Sequence, residues 1–156
     1  STMPVSSLMT GEYGIQDVVL SIPSVVDANG IETVVPIELS DQELEALRNS
    51  AAVLKQMIQE KIANMEMLIQ AGRGLVYNAT MLLDQGKPCN KEASIAKCFV
   101  TEAYGKITDD ALQIFGGYGL CDEYLISKLY RDSRVNRIIE GTNEIQRVVI
   151  AKSLLR

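Results

Sequence analysis

The stretch Ser40-Asp41-Gln42-Glu43-Leu44-Glu45-Ala46-Leu47 opens the longest periodic run of this chain, and its reading decides the fold. Ser40 followed three residues later by Glu43 forms a capping box: the hydroxyl accepts from the third helical amide while the carboxylate reaches back to the Ser40 amide. Apolar or small residues then recur three or four apart at Leu44, Leu47, Ala51, Leu54, Ile58, Ile62, Met65, Leu68, Gly72, Val76, Ala79 and Leu83. No proline or glycine falls between Ser40 and Ala71. The pattern predicts one helix to Gln85, about 68 Å long if straight at 1.5 Å per residue. Gly72 and Gly74 mark the expected bend. A helix of that length is more than the rest of so small a chain can cover, so a partner over part of it is expected.

Working outward, Gly86-Lys87-Pro88 ends this helix with glycine-then-proline punctuation. A second helix is predicted from about Lys91 to Phe115, with Ile95, Cys98, Phe99, Ala103, Ile107, Ala111 and Ile114 on its inner face. Glu102, Lys106 and Asp110 mix charge into that face, paired or solvated. Gly116-Gly117 stops it. A shorter helix from Glu123 to about Val135 and a last one from Asn143 to Leu155 complete the set. Upstream, β-branched residues dominate from Asp17 to Leu39 and are interrupted by Asn29-Gly30, a strong hairpin signal that predicts strands near 17–27 and 31–39. Pro23 and Pro36 are expected where no ladder donor is required. A two-stranded ribbon is marginal alone, so it must pack on a helix or on another chain. The fold class is therefore mainly α: a helical bundle with a long first helix, preceded by a short N-terminal β-hairpin.

The stretch most informative about chemistry is Ile138-Ile139-Glu140-Gly141-Thr142-Asn143-Glu144-Ile145-Gln146-Arg147. Glu140 can act as a general base, and Thr142 can cap a helix whose free first-turn amides face whatever polar cofactor sits beside that carboxylate. Ile138 and Ile139 would raise the Glu140 pKa by desolvation and the helix N-terminus would lower it. Taken with Gln113-Ile114-Phe115-Gly116-Gly117-Tyr118-Gly119 and Lys128-Leu129-Tyr130-Arg131-Asp132, the chain from about Glu60 to Arg156 resembles the C-terminal helical domain of the acyl-CoA dehydrogenases. The resemblance implies that Glu140 removes the α-proton of an acyl thioester while the β-hydride passes to the N5 of FAD. It also implies that Gln113, Ile114, Phe115, Gly116 and Gly117 approach the FAD pyrophosphate across a dimer interface. Thr142, Asn143 and Glu144 are implied to contact the flavin, and Gly141 the substrate.

The first part of the chain resembles something else. Pro4-Val5-Ser6-Ser7-Leu8, Gly11-Glu12-Tyr13-Gly14-Ile15-Gln16-Asp17-Val18 and Ser21-Ile22-Pro23 are similar to the C-terminal end of the L-lactate and malate dehydrogenases, which implies a β-ribbon and a last helix. Neither the glycine-rich dinucleotide loop nor the catalytic histidine of that family is present, and the chain has no His at all. The domain reading is thus 1–58 of lactate/malate dehydrogenase type and 59–156 of acyl-CoA dehydrogenase type, joined near Met57–Glu60. The expected function is that of a chimeric helical domain without dehydrogenase activity alone, FAD belonging to the parental family and not being retained by this chain by itself. Two alternatives are an FAD-dependent component that acts on acyl-CoA once a partner supplies the missing domains, and a dimerising interaction module.

Composition narrows the remaining classes. Without His there is no Ser-His-Asp or Cys-His set, and Cys89, Cys98 and Cys121 show no Cys-x-x-Cys spacing, so no metal site is expected. A net charge of −5 with no concentrated basic face argues against nucleic acid. Arg131, Arg134 and Arg137 form a row at spacing three that reads as ordinary salt bridging. No apolar run approaches the roughly 20 residues that span a bilayer, and no signal sequence is visible, so a cytoplasmic homo-oligomer with no membrane partner is expected.

Overall fold

The computed structural model describes residues 1–28 and 30–155; Asn29, on which the hairpin-turn prediction falls, and Arg156 lie outside the described residues. The chain divides into two compact units, Ser1–Gln59 and Glu60–Arg156. As the pattern predicts, a small N-terminal sheet precedes four helices.

The first unit holds three strands, not two: β1 (Thr2–Thr10), β2 (Gln16–Asp27) and β3 (Gly30–Val34), in an antiparallel meander with β2 central. β1 escapes sequence patterning because Met9 is its one buried residue; Leu8 on the opposite face is exposed. It becomes a strand through pairing with β2 from Thr2↔Val25 to Thr10↔Gln16. β3 ends at Val34 and not near residue 39. Pro23 accepts the Val35 amide at 2.8 Å but has no N–H to return, and Pro36 follows at once. Along β2, Val18, Leu20, Ile22 and Ser24 alternate inward. With Met9 and Ile15 these apolar side chains form a core against Ala51 and Leu47 of α1 (Asp41–Asp84), each fully buried large side chain contributing roughly 1.5–3 kcal/mol. Tyr13, at φ 56°, ties the β1–β2 turn to the segment before α1 by donating its hydroxyl to the Ile37 carbonyl at 3.2 Å and accepting the Ile37 amide at 3.0 Å.

The capping box forms as predicted. The Ser40 amide donates to Glu43 Oε2 at 2.9 Å and the Glu43 amide to Ser40 Oγ at 3.4 Å. The serine hydroxyl and amide hold the Glu43 carboxyl below the usual carboxylate range. α1 runs as one helix through Gly72 and Gly74. Leu54, Ile62, Val76 and Leu83 of the predicted stripe are exposed.

In the second unit, α1 from Glu60 onward is followed by α2 (Asn90–Phe115), α3 (Leu125–Val135) and α4 (Asn143–Leu154). α2 is central, packing against both α3 and α4. Its buried residues are small: Ser94, Ala96, Cys98, Ala103 and Thr108. Small side chains let helix backbones approach closely, and Gly72 of α1 does the same, since a Cβ there would sit 3.3 Å from Val100. Two of the three charges in the α2 stripe are paired, Asp110 with Lys61 and Glu102 with Arg137 and Arg147, while Lys106 is exposed. No described helix is long and apolar enough to cross a membrane.

Two mid-helix glycines separate propensity from packing. A Cβ at Gly74 meets nothing within 4 Å, whereas one at Gly105 collides with the Arg137 guanidinium. Gly74→Ala is therefore expected to raise stability by up to about 1 kcal/mol. Gly105→Ala is expected to lower it by about 1–3 kcal/mol, because the arginine must leave its berth. Urea denaturation of the two variants side by side checks the opposite signs.

Candidate functional site

The segment between α3 and α4 is a closed loop. The Asn143 amide donates to the Arg137 carbonyl at 3.1 Å, joining its two ends. At its apex Glu140 (φ 55°) and Gly141 (φ 84°) lie consecutively in the left-handed region, costly for glutamate and natural for glycine. The positive φ favours glycine at 141, and a side chain there would also displace Gln146. A Cβ there would come within 2.7 Å of Gln146 Nε2, which donates to the Glu140 carbonyl at 3.2 Å. The Glu140 side chain is exposed. Ile138 and Ile139, expected to desolvate it, are themselves 53% and 45% exposed and form no apolar lid in this chain.

Thr142 caps α4 as predicted, accepting the Ile145 amide at 3.4 Å while its carbonyl accepts the Gln146 amide at 3.0 Å. Glu144, in the exposed first turn, has its carboxyl held below the usual range by its own backbone amide and then by the Thr142 hydroxyl.

Asn143 stands apart from its neighbours. At 1% exposure it is the most deeply buried residue of the motif. Its Nδ2 donates to Thr101 Oγ1 at 2.9 Å and Glu102 Oε1 at 3.0 Å, and its Oδ1 accepts Lys97 Nζ at 2.7 Å. Both ends of the amide are thus committed to α2. Glu102 also accepts Arg147 Nη2 at 3.2 Å, and Arg137 Nε lies 3.3 Å from its second oxygen. That Nε is buried and has no aligned acceptor, so the contact is an ion pair without hydrogen-bond geometry. The Asn143 amide first, with both arginines assisting, holds the Glu102 carboxyl below the usual range. Sequence reading marked Glu102 only as a charge in a stripe and passed over Gly105, one helical turn on. A mid-helix glycine three residues after an acid in the inner stripe was the available signal.

The other predicted residues lie elsewhere. Gln113, Phe115, Gly116 and Gly117 are exposed and Ile114 is half-buried at the C-terminal end of α2. Asn143 is anchored on residues 97–102, so this group sits at least about 16 Å further along the same helix. Within one chain the structure does not bring it together with Glu140–Glu144. Gly116 has φ 60°, and a Cβ at Gly116 or Gly117 would meet nothing within 4 Å, leaving backbone open to approach. Phe115 and Tyr118 each pack against Tyr124 at 5.8 Å between ring centroids. The arginine row is largely spent on pairing: Arg131 donates to Ser127 Oγ at 2.7 Å and meets Asp122 at 3.3 Å, while Arg137 serves Glu102. An open apolar groove of about 540 Å³ between α1 and α2, lined by Leu68, Val76, Val100 and Ile107, contains none of the predicted site residues. Among the described residues no group of three or more His, Cys, Asp or Glu is arranged to hold a metal ion.

Two family models match the chain. Residues 43–155 match the family model described as acyl-CoA dehydrogenase, C-terminal domain, and residues 1–65 match that of the lactate/malate dehydrogenase α/β C-terminal domain. Cyclohexane-1-carbonyl-CoA dehydrogenase of Geobacter metallireducens is 48% identical over 101 residues, 65% of this chain and 27% of that protein. An acyl-CoA dehydrogenase of Bacillus subtilis is 44% identical over 119 residues, 76% of this chain and 31% of its own length. The butyryl-CoA dehydrogenase structure from Megasphaera elsdenii superposes with a TM-score of 0.64 at 44% identity, covering 65% of this chain and 26% of that one. The FAD complex of PigA matches with a TM-score of 0.61 at 28% identity over 64% of this chain and 26% of that one. The chain therefore spans about a quarter to a third of the length of these relatives.

Asn143→Ala is expected to cost about 2–3 kcal/mol, since Glu102 and Lys97 each lose a charge-assisted bond at a part-buried position. Glu144→Ala, one residue on and exposed, should cost about 1 kcal/mol or less. Chemical denaturation followed by circular dichroism distinguishes the two.

Proposed function

Residues 43–155 place this chain in the acyl-CoA dehydrogenase family, as its C-terminal domain, and from that membership we propose that it supplies the base-bearing part of an FAD-dependent site for α,β-dehydrogenation of acyl-CoA thioesters. The observation that carries this reading is the left-handed Glu140–Gly141 pair, exposed at the apex of a closed loop and followed at once by the capped N-terminus of α4. Glu140 takes the α-proton from its exposed position at the apex of the loop, whose backbone is fixed by the Arg137–Asn143 closure. The flavin, when bound, accepts the β-hydride. Gly141 lets the thioester approach the backbone, and Thr142 and Glu144 face the cofactor from the first turn of α4. Asn143 contributes from inside by holding the loop to α2.

The available residues fit such a cofactor as two separate edges. The open Gly116–Gly117 backbone, with Gln113, Ile114 and Phe115 behind it, suits a phosphate approached by the chain itself. Its separation from Glu140 along α2 supports the two edges serving flavins on different copies, as a dimer would arrange. The walls around the flavin ring and acyl chain must come from outside these 156 residues, so the chain alone is expected to be inactive.

The same reading makes residues 1–58 a lactate/malate dehydrogenase-type segment joined to 59–156 within α1, which is supported by the overlap of the two family models over residues 43–65. That segment brings a sheet and half a helix without a dinucleotide loop. A second reading, self-association through helix faces, is favoured by exposed Tyr77, Met81 and Leu83 on α1 and Ile145 and Val148 on α4.

The test supplies the N-terminal and middle domains of a related dehydrogenase as a separate chain, with FAD and butyryl-CoA. Flavin absorbance co-eluting with the complex and butyryl-CoA-dependent bleaching of that absorbance are expected. Glu140→Gln should retain the flavin and abolish bleaching. Bleaching that survives Glu140→Gln would remove the base assignment, and failure to take up flavin beside a self-associated species would favour the second reading.

A further inference from the structure

We propose that Glu102 is the positioning residue for the Glu140 loop, one carboxylate that pins both flanks of the turn and so sets where the base points. The proposal rests on Glu140 being the reactive carboxylate. Arg137 and Asn143 stand three residues before and three after Glu140, and both meet Glu102: Arg137 Nε at 3.3 Å from Oε2, Asn143 Nδ2 at 3.0 Å from Oε1. The Arg137 carbonyl and Asn143 amide close the same interval through the backbone at 3.1 Å. Arg147, one turn into α4, is a second donor to Oε1 at 3.2 Å. The loop thus has a backbone clasp and a side-chain clasp at the same two residues, and Glu140 and Gly141 are left to carry the left-handed turn between them.

Only an acceptor with two ionised oxygens satisfies this set. A neutral glutamine would keep the bond from Asn143 but turn its own NH2 toward a guanidinium, losing the charge-assisted contacts. Gly105 belongs to the device because it is the absence of a Cβ that admits the Arg137 guanidinium beside α2. The charged groups facing Glu102 are Arg137 from the loop and Arg147 from α4, with Lys97 of α2 beyond the Asn143 amide. Glu102 is the acid of the clasp, and its protonation removes the charge that these cations meet. Since its carboxyl is held below the usual value, the clasp is intact above the ordinary glutamate range and is lost as pH falls through the lowered one.

Amide hydrogen exchange on the full chain, without flavin, tests this. In Glu102→Gln, protection of the Asn143 and Gln146 amides should fall about tenfold, as expected for loss of charge-assisted bonds, while amides of Ala103 and Thr108 in α2 change less than about twofold. In the unaltered chain, corrected for intrinsic exchange, lowering the pH below the glutamate range should weaken Asn143 and Gln146 before α2. Glu102→Gln should show no such step. Unchanged loop protection in the variant, or loop and α2 weakening together, would overturn the proposal. If the variant does not fold, the acid series on the unaltered chain decides it alone. Glu140→Gln should leave both loop amides protected, which separates this inference from the base assignment: the latter fails on turnover in the complemented complex, the former on loop protection.

Discussion

The Glu102–Asn143 bond is the constraint on which the Glu140 loop and the start of α4 depend. A half-exposed carboxylate on α2 accepts the amide of a side chain that is almost wholly buried, and that amide is also held by Lys97 and Thr101. Every one of these groups would be costly to leave unpaired, so the arrangement is stable as a set and poor in alternatives. It fixes the start of α4 against the middle of α2. With the entry of α4 fixed, the preceding loop has one way to close, and closure requires a left-handed turn at Glu140 and Gly141. The strain at Glu140 is thereby offset by bonds its own side chain does not make.

Packing in the second unit follows a complementary rule. α2 is buried through serine, alanine, cysteine and threonine, and glycine stands where α1 and the Arg137 side chain come closest. Small residues allow close backbone approach and bury little apolar area each, so the unit gains its order from contact distance and polar pairing more than from bulk. The large apolar side chains are found outside: Tyr77, Met81 and Leu83 on α1, Phe115 and Tyr118 at the end of α2, Ile145 and Val148 on α4. The first unit shows the ordinary pattern, a one-sided sheet whose Val18, Leu20 and Ile22 are buried with Ala51 of α1.

The two family matches meet on one helix. Residues 43–65 belong to both models and lie within α1. A helix can carry both matches at once, because an apolar spacing of three or four keeps its phase along the whole stretch and every backbone bond is local. The stretch from Ser40 to Ala71 contains no residue that would interrupt it.

Much of this was legible from residue order alone. Caps, periodicity and punctuation are local, so Ser40 and Glu43, Thr142, and Gly116 after Phe115 gave the helix limits within a few residues. The Glu-Gly-Thr step already marked the loop and the cap that opens α4. What the tertiary structure decided was non-local: that Thr2–Thr10 is a strand, since only pairing with β2 makes it one, and that β3 stops where Pro23 has no donor. It also decided that Asn143 points inward, away from its neighbours Thr142 and Glu144. That orientation depends on Lys97, Thr101 and Glu102, more than forty residues upstream. Sequence order determined which groups this protein carries; the packing of α4 on α2 determined which remain free to act.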